Sequence, residues 1–176
     1  MKFLELANKR ESCRSYDKGR PVEKEKIEEI LSVARLSPSA CNSQPYHITL
    51  AEGEKAENIA KACMGMGMNP FMKDVPVVLV ISESDYNKTA AFGAKIKHND
   101  YRSIDIGILA AHITLAAAAD LDLGSCIVGW LDDKKIKEII GTEATTRLVI
   151  SIGYPKENKP PRDKKRKNES DLVTKI

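Results

Sequence analysis

The sequence predicts an α+β fold in which helices surround a small central mixed sheet. Helix-like and strand-like segments alternate along the chain without the regular βαβ repeat of a parallel sheet. Residues 75–81 form a continuous, β-branched apolar run, which is typical of a strand covered on both faces. Residues 103–121 form a long apolar segment with helical composition. The length of 176 residues predicts one domain over 1–176, with a basic C-terminal extension over 155–176.

The elements follow from local patterns in chain order. Apolar residues from Phe3 predict a short first helix. An i, i+3, i+4, i+7 spacing of apolar residues predicts a second helix over 23–36, and Pro38 ends it because the residue before a proline leaves the helical region. Strands are predicted over 47–51, 75–81, 125–128 and 147–152, and further helices over 55–63, 88–95, 103–121 and 132–140.

The longest predicted helix, 103–121, is apolar on nearly every side. Ser103 or Asp105 is expected to cap its N-terminus, since both side chains accept hydrogen bonds from backbone amides. A helix without a polar face should be buried all round. One small domain has few places for such a helix, so this segment is expected to lie at a homodimer interface.

Composition excludes several classes of function. A charged fraction of 30% and an apolar fraction of 42% describe an ordinary soluble protein, and a net charge of +3 is too small to indicate nucleic-acid binding. The four cysteines and three histidines lack the spacing of a zinc or iron–sulfur site, so no metal is expected. The chain shows neither a secretory signal nor a run of roughly 20 apolar residues, and we expect a cytoplasmic protein that does not enter a membrane.

Two polar segments carry the first indication of a binding site. Two arginines and a serine occur as R-x-S-x-R over 10–14, and a loop of small polar residues follows over 37–45. Arginine binds phosphate through two parallel hydrogen bonds, and a serine hydroxyl adds a donor without bulk. Such a pair of segments suits an anionic cofactor rich in hydrogen-bonding groups, although a basic turn on its own is more often a solvated surface.

Four motifs in order make the indication more specific. They are R-x-S-x-R-x-Y over 10–16, P-S-x-x-N-x-Q-P over 38–45, I-D-I-G-x-x-x-x-H over 104–112 and G-S-C-x-x-G-W over 124–130. Together they resemble the nitroreductase family of FMN-dependent NAD(P)H oxidoreductases, and the resemblance covers nearly the whole chain. It implies a nitroreductase-like fold and a homodimer with FMN at the interface. A Rossmann cofactor site is unsupported, because no G-x-G-x-x-G follows a predicted strand.

The resemblance also implies roles for individual residues. The phosphate and ribityl group would be held by Arg10, Ser12, Lys164 and Arg166, and the pyrimidine edge of the flavin would lie against Arg14 and Asn69. The flavin would be covered by backbone of Pro38, Ser39 and Ala40, with a polar contact from Asn42, and N5 would face the backbone of Val128 or Gly129. Phe92 is the one candidate aromatic ring for substrate binding. No catalytic side chain is expected, because the flavin N5 carries the hydride chemistry.

The implied activity is electron transfer from NADH or NADPH to a nitroaromatic, quinone or flavin acceptor by a ping-pong hydride mechanism. Relatives with the same fold dehalogenate iodotyrosine, fragment reduced flavin or oxidise peptide heterocycles. A different class of function stays open: a non-catalytic flavin-binding protein or a binding module with a basic tail.

Overall fold

A computed structural model describes residues 1–119, 121–156 and 163–176. The helices are α1 (Phe3–Lys9), α2 (Lys24–Ala34), α3 (Gly53–Ala62), α4 (Lys88–Lys97), α5 (Tyr101–Ala118) and α6 (Asp133–Ile140). The strands are β1 (Tyr46–Glu52), β2 (Val77–Glu83), β3 (Gly124–Val128) and β4 (Thr146–Gly153). Short 3-10 turns cover Ala40–Asn42, Gly65–Gly67, Pro70–Asp74 and Glu169–Asp171. The α+β prediction is confirmed.

The four strands form one sheet in the order β1-β2-β4-β3. All three strand pairs are antiparallel, which corrects the prediction of a mixed sheet. Parallel pairing among the described residues is limited to an isolated bridge between Ser12 and Ser125. A second bridge joins Tyr16 to Pro155, so the segment after α1 runs beside β3 and the end of β4.

Strand β2 lies inside the sheet and is buried on both faces, as its continuous apolar run predicts. Val77, Leu79 and Ile81 point toward a core formed with α2 and α5. Val78 and Val80 point to the opposite face, toward a second core formed with α3 and α6. The molecule therefore has three layers, with the sheet between two pairs of helices.

Helix α5 differs from the prediction in two respects. It begins earlier, because the Asp100 side chain accepts the Ser103 amide at 3.1 Å and caps the helix in place of the expected Ser103 or Asp105. It is also not buried all round within one chain. Ile104 is 50% exposed, and Gly107 and Ala111 on the same side are exposed too. The chain thus leaves an apolar stripe of α5 uncovered.

None of the helices in the described part of the chain combines the length and the apolar character that a membrane crossing requires.

Candidate cofactor site

The four residues predicted for the phosphate end, together with Arg14 from the predicted pyrimidine edge, meet around one small cavity. The cavity has a volume of about 200 Å³ and is lined by Arg10, Glu11, Ser12, Arg14, Asp163, Lys164, Lys165 and Arg166. Arg10, Ser12 and Arg14 follow helix α1, while the other basic residues belong to the C-terminal tail, about 150 residues later in the sequence. We call Arg10, Ser12, Arg14, Lys164 and Arg166 the basic cluster. A cavity with this set of donors suits an anionic group.

Lys164 has a structural role that the sequence did not predict. Its ammonium group donates to the carbonyl oxygens of Ala7, Asn8 and Arg10, at 3.3 Å for Ala7 and 2.8 Å for Arg10. These are carbonyls at the C-terminal end of α1, where an unpaired helix terminus favours a cation. Lys164 therefore ties the tail to α1 and holds the tail at the edge of the cavity.

Arg14 lines a second, wider cavity as well. This cavity has a volume of about 470 Å³, and its lining includes Asn69, Phe71 and Lys73. Because Arg14 borders both cavities, its exposed guanidinium can reach either the anionic end or a group in the wider space. Lys73 adds a cation beside Arg14 that the sequence analysis did not identify. Lys73 lies in the 3-10 turn Pro70–Asp74, and no sequence motif marks it as a site residue.

Asn69 connects this second cavity to the turn after β3. Its side-chain amide donates to the carbonyl of Cys63 at 3.0 Å and to that of Trp130 at 3.4 Å. The Trp130 indole in turn donates to the Gly65 carbonyl at 2.9 Å. Apart from its two chain neighbours, no described residue has an atom within 4 Å of a Cβ built on Gly129, so this side of the Gly129 backbone faces open space. Val128 beside it is buried.

The predicted covering loop, 38–44, has an unusual backbone. Cys41, Asn42 and Gln44 all have positive φ, at 50°, 51° and 47°. A positive φ is uncommon for residues other than glycine, and such conformations persist where the surrounding structure holds them. Inside the loop, the Ser39 hydroxyl accepts the Gln44 amide at 2.9 Å.

Two side chains from other elements hold this loop in place. The carboxylate of Asp105 on α5, which is 2% exposed, accepts the Ala40 amide at 3.1 Å and 3.3 Å through its two oxygens. Asn87 is the N-cap of α4, and its side-chain amide donates to the Cys41 carbonyl at 2.9 Å. The backbone N–H of Asn87 donates to the Ser43 hydroxyl at 2.8 Å. Neither anchor was assigned this role from the sequence.

Asn42, within this loop, and Phe92, on the adjoining helix α4, differ in their surroundings. Gln44 donates to the Asn42 side-chain oxygen at 3.1 Å, which leaves the Asn42 nitrogen as the end that can donate to a ligand. Phe92 is 68% exposed on α4, the helix that Asn87 links to the loop. The ring is available for contact, and the chain itself does not cover it.

The thiol of Cys63, a neighbour of Asn69, does not fit a nucleophile. Cys63, whose carbonyl accepts the Asn69 amide, is buried, and burial raises the pKa of its thiol to about 12. A thiol with that pKa stays protonated near neutral pH. Within the described ranges, the histidine, cysteine and acidic side chains form no group that could hold a metal ion.

The predicted site residues thus fall into two groups on different elements. The basic cluster, Asn69 and the Val128–Gly129 turn lie around the segment after α1 and the end of β3. Pro38, Ser39, Ala40 and Asn42 lie in the 38–44 loop against α4 and α5.

Comparison with known proteins identifies the class. The nitroreductase family profile matches residues 7–67 and 65–154, which is most of the chain. This protein therefore belongs to the nitroreductase family, and its fold is the nitroreductase fold. The family resemblance of the four sequence motifs is confirmed.

Individual relatives agree at low identity. The chain is 25% identical to an oxygen-insensitive NADPH nitroreductase of Helicobacter acinonychis, over 99% of both chains. It is 26% identical to an iodotyrosine deiodinase of Thermotoga neapolitana, over 91% of this chain and 92% of that one. Among solved structures, an FMN-dependent nitroreductase from Clostridium difficile R20291 is 30% identical with a TM-score of 0.71, covering 96% of this chain and 94% of that chain. These similarities support an oxidoreductase.

Proposed function

We propose that this protein is an FMN-dependent oxidoreductase that transfers electrons from NADH or NADPH to a nitroaromatic, quinone or flavin acceptor. The observation that carries the proposal is the basic cluster, in which sequence-distant arginines, a serine and tail residues line one cavity. Membership of the nitroreductase family and the FMN-dependent neighbour support the same cofactor. Relatives such as the Helicobacter acinonychis NADPH nitroreductase are named for a nicotinamide donor.

The residues present fit FMN at both ends. Arg10, Ser12 and Arg166 can hold the phosphate, because hydrogen bonds from charged guanidinium groups to phosphate oxygens are stronger than bonds between neutral groups. Arg14, which borders both cavities, would lie toward the pyrimidine edge together with Asn69. Gly129 leaves room for a flat ring, since a Cβ there would point into open space.

FMN, when bound, supplies the chemistry of accepting a hydride from nicotinamide and passing it to an acceptor, in a ping-pong sequence at one shared site. The protein's contribution is to bind and orient. Arg10, Ser12 and Arg166 would hold the phosphate end, Arg14 and Lys73 would place positive charge in the wider cavity, and the Val128–Gly129 backbone would face the reacting edge. No side chain is required as an acid or base in this scheme, because water can supply protons.

We also infer that the working form is a homodimer. The 38–44 loop and the basic cluster lie on different elements, and the exposed apolar stripe of α5 runs from Ile104 to Ala111. Pairing two chains through this stripe would cover it and would let the 38–44 loop of one chain complete the site of the other. An exposed apolar face of this kind marks an interaction surface.

The test is the absorbance spectrum of the purified protein. We expect a yellow protein whose visible flavin bands bleach on addition of NADH or NADPH and return with a quinone or nitroaromatic acceptor. Chromatography of the extracted cofactor should show FMN. FAD in its place, or no flavin after reconstitution, would defeat the proposal, and a flavin that neither nicotinamide reduces would favour the flavin-binding module.

Arg14 gives a second expected result. A cation beside the pyrimidine edge stabilises the reduced, anionic flavin more than the oxidised form, so Arg14→Gln should make the two-electron potential more negative by tens of millivolts. For such a couple, about 30 mV corresponds to roughly 1.4 kcal/mol. Redox titration against a reference dye measures the shift. Equal potentials in the two proteins would place Arg14 at the phosphate end or in a purely structural role.

A further inference from the structure

The Asp105 carboxylate makes a contact that neither its helix nor the sheet requires. It lies on α5, is 2% exposed, and directs both oxygens at the backbone amide of Ala40, 65 residues earlier in the chain. A buried carboxylate is expensive unless it is hydrogen-bonded, and bonds to an ionised acceptor are roughly twice as strong as neutral ones. The contact is therefore a strong constraint on where Ala40 can lie.

The amide that Asp105 accepts is the first of the 3-10 turn Ala40–Asn42. The residue before this turn, Ser39, makes no side-chain cap hydrogen bond, although its hydroxyl accepts the Gln44 amide. The first amides of a helical turn have no partner within the turn itself and need an acceptor from elsewhere. Asp105 supplies that acceptor from a different element.

The rest of the loop needs such a constraint. Cys41, Asn42 and Gln44 are held at positive φ, a conformation that a free loop leaves readily. The second anchor, Asn87, is exposed and bonds the loop through neutral groups. Asp105 is buried, so water competes less for its bond to the loop than for the bonds of Asn87.

We propose that Asp105 is a positioning residue of the cofactor site, which holds the 38–44 loop in its binding conformation through the Ala40 amide without touching the cofactor. This inference rests on the proposed function, because the loop is assigned there as a cover of the flavin. A loop that is already ordered binds with less loss of entropy, so releasing it lowers ligand affinity.

Three proteins test the proposal: Asp105→Ala, which removes the acceptor; Asp105→Asn, which keeps an acceptor oxygen but loses the charge; and the matched control Asp133→Asn. Asp133 also accepts a backbone amide from a distant residue, Thr146, at 2.8 Å, but has no contact with the loop. Hydrogen exchange of a peptide spanning 38–44 in the FMN-free protein reports loop order, and titration with FMN reports affinity.

We expect hydrogen exchange of the loop to be slowest in the wild type, faster in Asp105→Asn and fastest in Asp105→Ala. FMN affinity should fall about tenfold or more in Asp105→Ala. The control should match the wild type in both measurements. A merely structural role for Asp105 would lower the melting temperature and leave exchange of the folded loop and FMN affinity at wild-type values, and that result overturns the proposal. If Asp105→Ala does not fold, Asp105→Asn decides by the same two readouts.

The same measurements distinguish a failure of the proposed function from a failure of the role of Asp105. A wild-type protein that binds no FMN would defeat the assignment of the site. A wild-type protein that binds FMN, with affinity unchanged in the variants, would defeat only the role of Asp105.

Discussion

Ala111→Glu is expected to convert the protein to monomers and to abolish FMN binding in the same step. Ala111 lies on the exposed apolar stripe of α5, so the carboxylate of the introduced glutamate would become buried and unpaired in the proposed interface. Such a charge costs roughly 3 kcal/mol or more, which weakens dimerisation by more than about 100-fold. Light scattering at micromolar concentration measures the assembly, and flavin absorbance after gel filtration measures the cofactor.

The choice of position matters for this experiment. Ala117, farther along α5, is 0% exposed and faces the core of its own chain, so a glutamate there would unfold the protein and report nothing about assembly. Lys134→Glu on the exposed side of α6 is a suitable control, because it introduces a carboxylate outside the stripe. An Ala111→Glu protein that remains a dimer and keeps its flavin would rule out α5 as the interface.

Arg10→Ala is expected to reduce FMN affinity by at least about tenfold, since charge-assisted contacts to phosphate contribute about 1.5–3 kcal/mol each. The fold should persist. The Arg10 backbone makes two hydrogen bonds within the fold: its N–H donates to the Leu6 carbonyl, and its carbonyl accepts a bond from the Lys164 ammonium. Alanine at this position keeps both bonds. Fluorescence titration with FMN gives the dissociation constants, and thermal unfolding of the FMN-free proteins checks the fold.

Lys24→Ala is the matched control, because it removes one positive charge from the exposed start of α2, outside the basic cluster. If both variants lose affinity equally, the effect is general electrostatic attraction. If neither loses affinity, Arg10 does not contact the phosphate.

Local patterns predicted the fold well where periodicity and composition are strong. Strand β2 could be recognised because both of its faces are apolar, and α2 because its apolar residues keep helical spacing. The antiparallel pairing could not be read in the same way, since an apolar run fits a buried strand of either direction. The cap of α5 was misplaced because three candidate acceptors lie within six residues, and only geometry selects Asp100.

The motifs assigned particular arginines and loop residues to a cofactor site, and that assignment stays a prediction. The structure brings Arg10, Ser12, Arg14, Lys164 and Arg166 around one cavity, but the contacts that anchor the tail and the 38–44 loop were not predicted. The anchoring contacts span long sequence separations, 65 residues for Asp105 with Ala40 and 154 for Lys164 with Arg10. No local pattern encodes such pairs, because each depends on how the whole chain packs.

The bridges from the segment after α1 to Ser125 and Pro155 have a consequence for the order of events in folding. Contacts between residues more than 100 positions apart form slowly, because a long loop must close first. The arginines of the basic cluster therefore acquire their final arrangement only after β3, β4 and the tail have been synthesised and docked. A chain emerging from the ribosome can pair β1 with β2 early, yet the proposed cofactor site is assembled only after Lys164 and Arg166 have been synthesised and docked beside Arg10.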